Sequence, residues 1–153
     1  MARHFITTLL LCPLLTCSLL CHADTALQVS QAWLRAMPPG QPNGAAYMTL
    51  TNRGEQALTI VAMSSPLAQR VEIHESRLQD GMWRMQALAG LLLAAGQTEV
   101  LAPGGKHLML FGLKHSPQEG EEVQFELTLQ GGERVLVKAQ VRGLAAGGGH
   151  HQH

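Results

Sequence analysis

Apolar and polar positions alternate with a period of two through much of the chain, the spacing that sends successive side chains to opposite faces of a strand. Val123, Phe125, Leu127 and Leu129 form one such run, and Val135, Val137, Ala139 and Val141 form another after the Gly131-Gly132 turn. Further upstream, Val71 and Ile73 alternate with Glu72 and His74. Other strands are expected at Leu27 to Ala36, Ala45 to Asn52, Leu58 to Ser64, Met82 to Gln86, Thr98 to Leu101 and His107 to Leu113. Val29 and Trp33 are core candidates in the first of these. Pro38 to Gly44 reads as a loop and Asn52-Arg53-Gly54 as a turn. Asp80-Gly81 is a hairpin signal, because a type I′ turn needs positive φ at both central residues. It folds Met82 to Gln86 back along Val71 to Arg77. Leu88 to Ala95 is apolar and ambiguous between strand, turn and one helical turn. No helical period runs for a useful length. Short strands parted by turn residues predict an all-β chain, built as an antiparallel sandwich or barrel.

The two ends break this pattern. Residues 1–23 carry one early Arg, then an apolar run, then Cys21-His22-Ala23, a small-x-small site. This reads as a secretory signal peptide cleaved after Ala23, too short for a membrane span. Leu20 before Cys21 and Thr16 before Cys17 are not the small residues that lipidation requires. All three cysteines fall in this leader, so the mature chain from Asp24 has no thiol for a disulfide or a thiolate metal site. Residues 24–143 form the expected single domain. Residues 144–153 are a Gly- and His-rich tail that buries nothing.

Composition narrows the function classes. The chain has 153 residues, enough for one domain with a core. Lys+Arg and Asp+Glu balance at 11 each, so no basic field recruits nucleic acid or anionic lipid.

Candidate chemistry lies on the strands. His107 and Met109 share one face of their strand, while Leu108 and Leu110 share the other. Upstream stand His74 and Met85, completing the pattern His-x10-Met-x21-His-x-Met. Taken singly, His74 and His107 read as exposed or rim residues and Met85 and Met109 as core. Together they are two imidazoles and two thioethers, a soft neutral donor set that selects copper(I) over harder divalent ions. Zinc would recruit Cys, more His or a carboxylate. Met48, Met63 and Met82 read as packing residues, and His115 as solvated. Trp83, on the same strand face as Met85, either walls the site or packs in the core.

In that spacing the chain resembles the periplasmic copper chaperones called PCuAC. Ala32 to Ala36, Gly44 to Asn52 and Leu92 to Leu113 extend the resemblance over most of the chain between Val29 and Val141. The resemblance implies a cupredoxin-like Greek-key β-sandwich with copper(I) held by His74, Met85, His107 and Met109. It implies a monomeric, non-enzymatic carrier that hands copper to a respiratory oxidase subunit or a thioredoxin-like copper protein. Two other readings stand beside it. A copper electron carrier or oxidase would need a Cys thiolate of the blue-copper kind, which the mature chain lacks. A secreted β-sandwich interaction module would leave the His and Met incidental. His150, His151 and His153 with the terminal carboxylate suit a weaker copper(II) site.

Overall fold

The computed structural model describes residues 25–143. The expected leader with its cysteines, and the tail carrying His150, His151 and His153, lie outside the described residues. Among the described residues ten strands run in chain order: β1 Leu27–Arg35, β2 Asn43–Asn52, β3 Leu58–Ser64, β4 Ala68–Gln79, β5 Met82–Leu88, β6 Leu91–Leu93, β7 Thr98–Leu101, β8 Lys106–Leu113, β9 Glu122–Leu129 and β10 Arg134–Arg142. They hydrogen-bond in the order β5-β4-β8-β2-β1-β10-β9-β3-β6, with β7 beside β2. A pairing of Met63 on β3 with Val71 on β4 closes the path into a barrel-like sandwich. Neighbours are antiparallel except β1 and β10, which pair in parallel.

The alternating runs bury their apolar faces as expected. Phe125, Leu127, Leu108, Leu110, Leu50 and Ile60 are fully buried. Met48 and Met63 are core residues. Asp80 and Gly81 both have positive φ, at 53° and 76°, which turns β4 into β5 as a tight hairpin. The ambiguous apolar stretch resolves into the end of β5, the short β6 and a turn.

Three core expectations are corrected. Trp33 is not a core residue, and Leu34 is buried in its place. A bulge between Ser30 and Trp33 shifts the β1–β2 register, with Gln31 at φ 52°, and one extra residue sends every later side chain to the other face. Val29, before the bulge, is partly buried against the core. Met82 is not a packing residue either, being exposed. The β4–β5 hairpin overhangs the barrel, so its core-side face has nothing to pack against. Trp83 is likewise no core residue. It lies opposite Leu78 and is 69% exposed.

Candidate metal centre

The site is laid out by register across β5, β4, β8 and β2. His74 on β4 lies directly opposite His107 on β8, and Glu72 lies opposite Met109. Ala87 on β5 pairs with His74, and Met85 pairs with Ser76. Residues opposite each other in an antiparallel pair share a face, so His74, Met85, His107 and Met109 all project to one side. Leu108, Leu110, Val71 and Ile73 fill the other side, in the core. The four residues therefore stand on the outer face of the wall.

Within that face three of them are close neighbours. The His74 ring is 6.1 Å from the His107 ring and 5.8 Å from Phe111. Met109 lies between those two residues on β8, so His74 leans over it. Met85 sits beyond the histidine pair, on the opposite side from Met109. On a flat sheet, two strands and four residues would separate the Met85 and Met109 Cα atoms by roughly 17 Å. One ion collects both sulfurs only when the overhanging hairpin curls over the histidines.

The histidines are held in defined tautomers. His74 Nε2–H donates to Glu72 Oε2 at 2.8 Å, and Arg70 Nε–H donates to the other Glu72 oxygen at 3.0 Å. The His74 hydrogen bond, aided by Arg70 against a partial desolvation penalty, holds the Glu72 carboxyl below its ordinary range. An ionised carboxylate can only accept, so the proton belongs on Nε2. In the neutral ring His74 Nδ1 is then the lone-pair nitrogen, and it is buried without a hydrogen-bond partner. His107 Nδ1–H donates to the Gly105 carbonyl at 3.0 Å, which leaves Nε2 as its lone-pair nitrogen. Metal-binding histidines are commonly fixed in this way, one nitrogen anchored by a carboxylate or carbonyl.

Aromatic rings cover the β2 side. Tyr47 lies 6.5 Å from His107, Trp33 stacks on Tyr47 at 4.4 Å, and the Arg142 guanidinium lies 5.7 Å over Trp33. Burial raises Tyr47 above its ordinary value, partly offset by Arg35. Under this cover His107 is only 6% exposed, although it stands on the outer face. The bulge that removes Trp33 from the core thus delivers it to the site.

Among the described residues no group of three or more His, Cys, Asp or Glu side chains is placed to hold a metal ion. The donors gathered on this face are two imidazoles with thioether sulfur, a combination that suits a soft ion. Glu72 and Trp33 are the residues that sequence reasoning missed. The signal for Glu72 was available, since Glu-x-His on a strand puts both on one face. His115, read as solvated, is exposed and bonds Glu121 at 2.7 Å.

The LpqE-like family model matches residues 27–141. A protein of Leifsonia xyli subsp. xyli that carries a lipoprotein name, Lxx21020, is 34% identical over 117 residues, 76% of this chain and 69% of its own length. The copper(I) form of DR1885 from Deinococcus radiodurans, a solution structure, is 34% identical, with a TM-score of 0.63 and coverage of 79% of this chain and 83% of its own. The copper-bound PCuAC domain from PmoF2 superposes with a TM-score of 0.66 over 77% of this chain and 93% of its own, at 19% identity. The topology is that of these PCuAC domains, a cupredoxin-like all-β fold.

Proposed function

The chain belongs to the LpqE-like family, and from that premise we propose that it is a periplasmic copper(I) carrier. The observation that carries the reading is the His74–His107 pair on the outer face of one wall, with a buried, unpartnered His74 Nδ1 and Met109 beside it. Homology to copper-loaded relatives supports copper as the cargo. His74 and His107 supply nitrogen, Met109 supplies sulfur, and Met85 closes the site from the hairpin. None of these donors except imidazole competes with protons, and no cysteine lies between residues 24 and 153. The protein acts without catalysis, binding the ion and passing it to an acceptor such as a respiratory oxidase subunit or a thioredoxin-like copper protein. All three cysteines precede residue 24, which disfavours a blue-copper electron carrier. The apolar leader supports export, with the mature chain starting at Asp24. The intact mass of exported protein tests that start, and a lipid adduct on Cys17 or Cys21 would refute it.

Titration with copper(I) against a competing chelator tests the function directly. One tight ion per chain is expected. Met109→Leu should keep the fold, because shape and apolarity persist, and should weaken copper(I) binding sharply. No stoichiometric copper(I) would favour the interaction-module reading. The weaker copper(II) site at His150, His151 and His153 is part of the same proposal. Truncation after Gly143 should remove its spin-resonance signal and leave the copper(I) titration unchanged.

Glu72 gives a second test. Glu72→Leu removes the acceptor that holds His74 Nε2–H, and affinity should fall about 10- to 100-fold, as for other outer partners of metal ligands. Glu72→Gln retains an acceptor oxygen and should lose less. Acid acts in the same direction. The Glu72 value is lowered in the folded chain, so its stabilising contact is complete above the ordinary carboxylate range and is lost as pH falls through the lowered value. Copper release should therefore be complete once Glu72 is protonated.

A further inference from the structure

The β4–β5 hairpin has two unlike faces. On the metal-site face it presents Leu78, Trp83 and Met85, all exposed. On the other face Arg77 lies directly opposite Arg84. Arg77 bonds Glu75 at 2.7 Å, but among the described residues Arg84 has no ion-pair partner. Like charges directly opposite on a ladder are destabilising, so this pair favours an added carboxylate.

The strand edge is equally unfinished. β5 and β6 end the strand order, and among the described residues nothing pairs with the outer edge of Met82 to Gln86. Terminal strands are commonly kept from pairing with other chains by shortness, proline, charge or cover. β6 is only three residues long. β5 has seven residues, Met82-Trp-Arg-Met-Gln-Ala-Leu88, with one charge and no proline.

We propose that the β5 edge is where the copper acceptor docks, by adding an extended segment in which acidic residues alternate with soft donors. A strand laid along β5 continues the same two faces. Its residues on one face stand beside Arg84 and bring the missing carboxylates. Its residues on the other face stand beside Met85 and Trp83, where a thioether, thiolate or imidazole reaches the ion. Transfer is then ligand exchange: the copper–sulfur bond to Met85 breaks as one bond to the incoming donor forms, and the ion stays copper(I). The exposed position of Met85 makes it the ligand an acceptor meets first. This docking role rests on the carrier reading given above.

The probe is a synthetic peptide of alternating methionine and aspartate, with a methionine–lysine peptide as control. Amide NMR of the isotope-labelled protein, apo and copper(I)-loaded, should show salt-sensitive shifts centred on residues 82–86 with the acidic peptide only. Arg84→Glu should weaken the acidic peptide about tenfold or more and admit the basic one. The same variant should titrate copper(I) like the parent, because Arg84 points away from the metal-site face. Trp83→Ser should weaken both apolar contacts and binding while preserving the spectrum of the barrel. Equal shifts with both peptides, shifts elsewhere, or none would overturn the docking edge. A parent chain that binds no copper(I) overturns the carrier reading, and the peptide shifts then decide the edge by themselves.

Discussion

His74→Leu should abolish tight copper(I) capture without weakening the apo fold. The loss of affinity is expected to be roughly 100-fold or more, beyond the range seen when only an outer partner of a ligand is removed. The fold is spared for a local reason. His74 Nδ1 is a buried atom with no partner, and leaving such an atom unmet costs about 1–3 kcal/mol. Leucine removes that orphan along with the ring. Glu72 loses one hydrogen bond but keeps Arg70 and partial access to solvent. The apo variant should therefore melt at or above the parent temperature. The contrast appears when copper(I) is added. Ligand at about 1,000 times its dissociation constant stabilises the parent by roughly 4 kcal/mol, and the variant should show no such gain. Scanning calorimetry with and without copper(I) measures both. A variant that melts early in the apo state would make His74 a structural residue rather than a ligand.

The legible part of this molecule was the part governed by alternation. Val123 to Leu129 and Val135 to Val141 reveal their inward faces because one side of each strand is buried and the other is solvated. Asp80-Gly81 announces its turn because few residue pairs tolerate two positive φ angles in succession. The shared face of His107 and Met109 follows from their spacing alone. Register across strands was not legible, and it decides how the four site residues meet. Periodicity could not foresee that Met85 would pair with Ser76 rather than with His74, one step closer to the others. Nor could it foresee the bulge at Gln31, since a single inserted residue leaves the composition of β1 unchanged while reversing Trp33. Met82 misled for a related reason. An apolar residue on the core-side face of a strand is buried only where the barrel lies beneath it, and β5 extends past the barrel.

Asn52→Leu should damage the fold strongly and should leave the metal site alone. Asn52 ends β2 and is completely buried. Its Nδ2 donates to the carbonyls of Gln56, Leu93 and Ala94 at 2.7, 3.1 and 3.1 Å. Its Oδ1 accepts the Gly54 N–H at 2.9 Å. One side chain thereby ties the β2–β3 turn to the end of β6. Leucine has the same branched skeleton but returns none of these bonds, leaving backbone groups from two connections without a partner. At about 1–3 kcal/mol for each buried group left unpaired, a loss of roughly 3 kcal/mol or more is expected. For a domain of this size that lowers the melting temperature by about 10 °C. Asn52→Asp keeps the acceptor for Gly54 but turns the amide donor into a charge facing three carbonyls, so it should be no milder. The ladder between β4 and β8 that aligns His74 with His107 lies on other strands. Below its melting range the leucine variant should bind copper(I) with parental affinity. A parallel loss of affinity at low temperature would mean that Asn52 shapes the site as well as the turn.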